Sequence, residues 1–353
     1  MTRVVSLLKL MILTTVALIF GMGVGKFFSI SSAGPVDASA GRPARSVQAD
    51  TPASSVGESG SGPAVLHRPT ISTREFDRMT AEMRRQITRF RGKVCVYVKN
   101  LETDQEWAYN ANVKVPSASL IKIPVMIGVY EKIGRGELSL DQRVTLNRSA
   151  RKAGSGQLKW RNNGEQFTIR ELLEEMITVS DNIAQEMLIQ TVGMEYLQRQ
   201  FSASGLIHTN LTRQGLTLRP YTSVENFTTA REMGMILEDL YRCRKMDPRL
   251  CQEMLGIMQR VKYKDRLPRY MPKDYGLSHK TGLLRRACHD VGIVYSPAGD
   301  YIICVLTANG PSYRDSKRFI AKVGSISYRY FQTPSPLSTA STLRPATTFK
   351  PAS

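Results

Sequence analysis

Apolar positions recur at three- and four-residue spacing along some stretches of the chain and as short continuous runs along others. The order of the two patterns already sorts the elements. Phe76, Met79, Met83, Ile87 and Phe90 mark one face of a first helix. Ser72-Thr73-Arg74-Glu75 ahead of it has the form of a capping box, with Ile71 and Phe76 placed as a hydrophobic staple. Val94 to Lys99 and Gln105 to Asn110 read as two strands joined by the turn-rich segment from Asn100 to Asp104. An apolar helix carrying Ser119 and Lys122 then runs to about Ile133 and stops at Gly134 and Gly136. A loop-rich stretch follows, through Gly154-Ser155-Gly156 and Asn162-Asn163-Gly164. A second capping box, Thr168-Ile169-Arg170-Glu171 with Phe167 and Leu172 as its staple, opens a helix ending near Val179. Further helices are expected from Ile183 to Thr191, from Thr229 to Tyr241 and from about Cys251 to Val261. The last third switches to strands, Gly276 to Thr281, Asp290 to Tyr295 and Tyr301 to Thr307, closed by a helix from Asp315 to Tyr330 with Phe319, Ile320 and Val323 inward. Strands first, helices in the middle, then strands and a helix make an α+β or α/β pattern in which both ends of the chain build one sheet.

The two ends lie outside this pattern. Leu10 to Gly25 is an uncharged apolar run preceded by Arg3 and Lys9, which reads as a secretory signal or short membrane anchor with its N-terminus in the cytoplasm. A span needs about 20 residues, so the run relies on neighbours such as Phe27 and Phe28 to extend it. Ala38-Ser39-Ala40 resembles a cleavage site but lies far from the apolar centre, and no cysteine near the run could carry a lipid. An uncleaved anchor within residues 1–30 is expected, with the catalytic part outside the cytoplasm. Residues 31–70, rich in Ser, Gly, Ala and Pro, read as a flexible tether. Residues 333–353 read as a Pro/Ser/Thr tail, leaving residues 71–332 as the folded domain.

The chain of 353 residues carries a formal net charge of +19, which admits either nucleic acid or an anionic surface such as lipid headgroups or cell wall as a neighbour. The basic residues are dispersed and no nucleic-acid-binding signature is present, so nucleic acid is the minor reading. Five cysteines cannot all pair with one another. Cys243 and Cys251 flank a loop where an oxidising compartment would allow a bridge, whereas Cys95 and Cys304 sit in strand-like runs as buried thiols. Four histidines, and no cysteine spacing that includes one, speak against a metal enzyme.

The candidate chemistry begins at Ser119, three residues before Lys122, a spacing that stacks a potential nucleophile on a potential base. Alone, Ser-x-x-Lys is also what a helix cap followed by a solvated lysine looks like. Two more motifs follow in order, Ser180-Asp181-Asn182 and Lys280-Thr281-Gly282. Each has its own ordinary reading, a helix cap for the first and a strand end for the second. Together they resemble the motif set of class A β-lactamases and penicillin-binding proteins. The similarity extends to the helix from Thr168 through Leu173 to Met176-Ile177-Thr178-Val179, and to His279 and His289-Asp290-Val291-Gly292-Ile293-Val294. It covers about residues 72 to 331.

The resemblance implies an α+β (α/β sandwich) fold, an antiparallel five-stranded sheet built from both chain ends plus an all-helical subdomain. It also implies a monomer without metal or cofactor, acting on a β-lactam or on a peptidoglycan stem peptide. By the same resemblance Ser119 is the nucleophile and Lys122 its base, kept neutral by burial and by Lys280 as a second cation. Ser180 is then the proton carrier to the departing nitrogen, and Asn182 the holder of the substrate's amide side chain and of Lys122. Lys280 and Thr281, with Gly282 beside them, become the carboxylate site. The backbone N–H groups of Ser119 and Leu283 become the oxyanion hole. Arg285 or Arg286 is a further candidate for the carboxylate, or else part of a solvated turn. One departure stands out. Class A enzymes release the acyl group with a loop glutamate, yet no Asp or Glu occurs between Glu195 and Glu225. In the segment from His208 to Leu216, Gln214 could orient a water but not take its proton, and Glu225 comes late. Three readings remain: a β-lactam hydrolase, a penicillin-binding or peptidase-like protein or sensor that deacylates poorly, and a non-catalytic wall-binding module.

Overall fold

A computed structural model of the chain describes residues 70–216 and 225–332. The expected anchor, tether and tail therefore lie outside the described residues, apart from Thr70 at the end of the tether. Among the described residues no helix is long and apolar enough to cross a membrane.

In chain order the elements begin with α1 (Thr73–Thr88), β1 (Lys93–Asn100), β2 (Glu106–Tyr109) and the two-residue β3 (Val115–Pro116). A 3₁₀ turn, Ala118–Ile121, leads into α2 (Lys122–Gly134). After the short ribbon strands β4 (Arg143–Thr145) and β5 (Gln166–Thr168) come α3 (Ile169–Thr178), α4 (Asn182–Val192) and α5 (Met194–Ala203). The chain returns through β6 (Phe227–Thr228), α6 (Ala230–Arg242) and α7 (Pro248–Gln259). It finishes with β7 (Gly276–Leu284), β8 (Ala287–Tyr295), β9 (Tyr301–Ala308) and α8 (Tyr313–Tyr330). The main sheet is antiparallel and five-stranded, in the order β2-β1-β9-β8-β7, so the two ends of the domain meet where β1 pairs β9 from Lys93↔Ala308 to Asn100↔Tyr301.

Both faces of this sheet are covered, which is why its strands read as continuous apolar runs and not as alternation. The period of two is still there in the packing. Val94, Val96 and Val98 of β1, with Ile303 and Val305 of β9, face a cluster formed with Phe76, Met79 and Met83 of α1 and Phe319, Ile320 and Val323 of α8. Cys95, Tyr97, Cys304 and Leu306 point the other way, into the larger core shared with the helical half. In that half α2 is buried almost all round, with Ile123, Val125, Met126, Val129 and Tyr130 inaccessible to solvent, as expected for a helix without a polar stripe. Each such side chain contributes about 1.5–3 kcal/mol through burial.

Both capping boxes form, at Ser72–Glu75 and Thr168–Glu171. Cys243, the left-handed C-cap of α6, is disulfide-bonded to Cys251 of α7, and Cys95, Cys288 and Cys304 are free and buried. Three features differ from the sequence expectation. Ser119 lies in the 3₁₀ turn ahead of α2 and not inside an α-helical turn. Strands β7 and β8 run on to Leu284 and from Ala287, closing through a two-residue turn in which Arg285 adopts φ 48°; without Gly or Asn there, the sequence gives no hairpin signal. Helix α5 was not expected, because only Leu197, Gln200 and Phe201 of its residues are buried and its periodicity is correspondingly faint.

Candidate active site

The site is assembled where the first turn of α2 meets the end of α3, the start of α4 and the edge strand β7. The 3₁₀ turn gives three residues per turn and so eclipses positions i and i+3, which sets Ser119 directly over Lys122. Its geometry is held from outside. Ala118 takes the left-handed conformation, φ 47°, Ser117 N–H donates to Asn226 O at 2.7 Å, and the His289 ring donates from Nε2 to Pro116 O at 2.8 Å. Burial pulls His289 down to about 4, so the ring is neutral, and its Nδ1 accepts from Thr307 N–H at 3.2 Å. Gly282 of β7 has a reason to lack a side chain: a Cβ there would come to 3.3 Å from both Ala118 Cβ and Leu120 Cγ. The glycine lets the strand close on the turn that carries Ser119.

Lys122 is the centre of the cluster. Its Nζ lies 3.4 Å from Ser119 Oγ, 2.6 Å from Ser180 O, 3.2 Å from Ser180 Oγ and 2.8 Å from Asn182 Oδ1. Ser180 can offer both its carbonyl and its hydroxyl because it stands in the left-handed region, φ 60°, at the junction of α3 and α4. Asp181 fixes that junction: Oδ1 accepts from Ile183 N–H at 2.7 Å and Ala184 N–H at 3.0 Å, capping α4, while Oδ2 accepts from Leu158 N–H at 2.8 Å. Ser155 adds a bond from Oγ to Ser180 O at 2.7 Å, and Asn182 Nδ2 donates to Ala153 O at 2.8 Å. From the strand side Lys280 Nζ reaches Ser180 Oγ at 3.1 Å and Thr281 O at 2.9 Å. Ser180 Oγ thus bridges the two lysines. The ordinary readings of the motifs are incomplete, since Asp181 does cap a helix while its neighbours Ser180 and Asn182 face Lys122.

Desolvation in this buried setting lowers Lys122 to about 7, against a smaller raising pull from Asp181. Lys280 also falls well below an ordinary lysine, first through burial, then through the charges of Lys122 and Arg266. Burial is the largest cause at each lysine, and the repulsion between the two charges, which belongs to the pair, adds to it.

Ser119, Ser180, Asn182, Thr281 and Leu283 open onto one cavity of about 500 Å³, with Lys122 and Lys280 fully buried behind its wall. All eight residues proposed from the motifs are therefore brought together. Arg285 also lines the cavity, ion-paired with Glu225, so neither is the solvated or too-distant group that its place in the sequence suggests. Several lining residues were not anticipated. Buried Arg266 and Lys317 of α8 flank Asp265, and Gln185 and Glu186 of α4 look in beside Lys152. The last two were legible in principle, because they lie three and four residues after Asn182 and so share its helical face.

A family model described as the beta-lactamase enzyme family matches residues 78–331. Beta-lactamase VEB-1 of Pseudomonas aeruginosa is 22% identical over 276 residues, covering 74% of this chain and 92% of the relative. The crystal structure of a beta-lactamase from Sphaerobacter thermophilus is similar with a TM-score of 0.66 at 26% identity, over 71% of this chain and 96% of that one. The structure of PBP-A shares the fold with a TM-score of 0.67 at 24% identity, over 72% and 96% of the respective chains.

Proposed function

This chain belongs to the beta-lactamase enzyme family, and on that premise we propose that it is a serine hydrolase opening β-lactam or D-alanyl amides through an acyl-serine at Ser119. The observation that carries the reading is Lys122, a lysine held near neutrality at about 7 with its nitrogen 3.4 Å from Ser119 Oγ. In its neutral form the amine has a lone pair for the hydroxyl proton, and a positioned base of this kind is worth about 10²–10⁴ in rate. Ser119 Oγ bonds the amide carbon, and the carbonyl oxygen is received by the backbone N–H groups of Ser119 and Leu283. The C–N bond then breaks as Ser180 Oγ, 3.2 Å from Lys122 Nζ, relays the proton to the departing nitrogen. Asn182, its Oδ1 on Lys122, orients the base and faces the substrate's amide side chain. Lys280 and Thr281 bind the substrate carboxylate, whose arrival favours the charged form of the lysine against the lowering effect of burial.

A second reading has its own observation. Residues 196–224 contain no Asp or Glu, and Gly215 of that stretch lines the cavity. A Cβ at 215 would lie 2.3 Å from Asn226 Oδ1, so the backbone leaves no room for a side chain at this point. This favours a penicillin-binding or peptidase-like protein whose acyl-serine decays slowly. The apolar Leu10 to Gly25 run and the Cys243–Cys251 bridge support a place outside the cytoplasm, tethered by the N-terminal segment; a topology reporter fused after residue 70 tests that. For the chemistry, a fluorescent penicillin is the probe. It is expected to label the wild type covalently and to leave Ser119→Ala and Lys122→Met unlabelled, whereas equal labelling of Ser119→Ala would end the acyl-serine reading.

A further inference from the structure

Resting on that acyl-serine reading, we propose that Glu186 is the general base that activates water for hydrolysis of the acyl-enzyme. Glu186 lies one helical turn beyond Asn182 on α4, so its side chain leaves the helix on the face that carries Asn182 towards Lys122. Glu186 itself is 3% exposed and lines the cavity shared with Ser119. Lys152 lies 3.5 Å from Oε2, Arg213 is ion-paired with Oε1, and Gln190 Nε2 donates to the same oxygen at 3.0 Å. These partners hold the buried carboxylate in one orientation at the cavity wall.

A second observation lies beside it. Gln185, 5% exposed and lining the same cavity, has an amide Nε2 without a hydrogen-bond partner among the described residues. An N–H donor and a carboxylate acceptor on adjacent residues form a polar niche of the kind that holds an ordered water. The other carboxylates lining the cavity are each tied up, Glu225 by Arg285 in the turn between β7 and β8 and Asp265 by Arg266 and Lys317.

The step balances with water as the only co-reactant. A proton of the water passes to Glu186 as its oxygen bonds the acyl carbon. The ester C–Oγ bond of Ser119 then breaks, and the proton returns from Glu186 through Lys122 to Ser119 Oγ. Lys152, Arg213 and Gln190 already occupy the carboxylate oxygens, so a water must share them and turnover is expected to be slow beside acylation.

The test follows penicillin adduct formation and decay on the soluble domain by rapid-quench intact-mass measurement in the wild type, Glu186→Gln, Glu186→Asp and Arg213→Met. The Gln variant is expected to form adduct within a few-fold of the wild-type rate and to lose it about 100-fold more slowly or worse. The Asp variant, which keeps the charge, should recover part of the decay. Arg213→Met removes one of the partners that aim the carboxylate but not the carboxylate itself, and is expected to slow decay by much less than Glu186→Gln. Decay in Glu186→Gln at the wild-type rate would overturn the proposal and leave Lys122 as the base of both steps. Equal slowing in Arg213→Met and Glu186→Gln would reduce Glu186 to a structural contact. A wild-type adduct that persists for hours would overturn the role of Glu186 while sustaining the acyl-serine reading; no adduct on any protein would remove both.

Discussion

The proposed acylation draws on the neutral form of Lys122, so pH is the most direct perturbation of the site. The buried amine lies near 7 in place of an ordinary 10.5, about 5 kcal/mol against the charged form. A single titration at that value leaves about 1% of the amine neutral at pH 5, half at pH 7 and about 99% at pH 9. The second-order rate of penicillin acylation, read by stopped flow on the soluble domain, should therefore rise about tenfold per unit below pH 7 and level off above it. Asp181 supplies a second lever, because its carboxylate is the one charge that raises Lys122. In Asp181→Asn the inflection should move to lower pH, with more of the base neutral at pH 6 than in the wild type. The same shift has a stability sign. Since the folded value lies below the unfolded one, the unfolded chain binds more protons between about pH 7 and 10.5, and this group's contribution to stability improves as pH rises through that window. A rate profile flat from pH 5 to 9, or an inflection near 10, would refute the assignment of Lys122 as the base.

Other consequences can be measured separately. Lys122→Met removes a buried, reluctant charge, so it should abolish acylation while raising the urea midpoint more at pH 6 than at pH 10. Gly156 stands at φ 112°, where a Cβ would lie 2.0 Å from Asp181 Oδ2 and 2.5 Å from its Cα; Gly156→Ala should slow acylation sharply by displacing the Ser180–Asn182 junction, with loss of soluble protein as the accompanying sign. The Cys243–Cys251 bridge closes a short loop, with a sequence separation of 8, and replacing both cysteines by alanine should cost about 2.5 kcal/mol in chemical denaturation without changing the acylation rate.

What the chain order disclosed and what it hid divide along physical lines. Capping boxes at Ser72 and Thr168 are local chemistry, complete within four residues, and both form. The sheet's order rests on apolar runs long enough to be strands on any reading, so β1, β7, β8 and β9 were legible even though their pairing is distant in sequence. The motifs named the residues that surround Lys122, but not the left-handed turn of Ser180 that aims both its oxygens at one amine. No side-chain pattern encodes that. The class A pattern puts the carboxylate in the loop between the second and third motifs, so Glu186, which enters the cavity from α4, carries no such mark in the sequence. Arg266 was invisible for a similar reason: an arginine in a basic chain is ordinarily solvated, and only the fold buries it beside Asp265 and Cys288.

The central claim is covalent attack by Ser119, and peptide mapping of the penicillin-treated soluble domain tests it most directly. The account predicts a single penicilloyl adduct on the peptide carrying Ser119, present in the wild type and absent from Ser119→Ala. An adduct on any other residue, or penicillin hydrolysis that continues undiminished in Ser119→Ala, would contradict it.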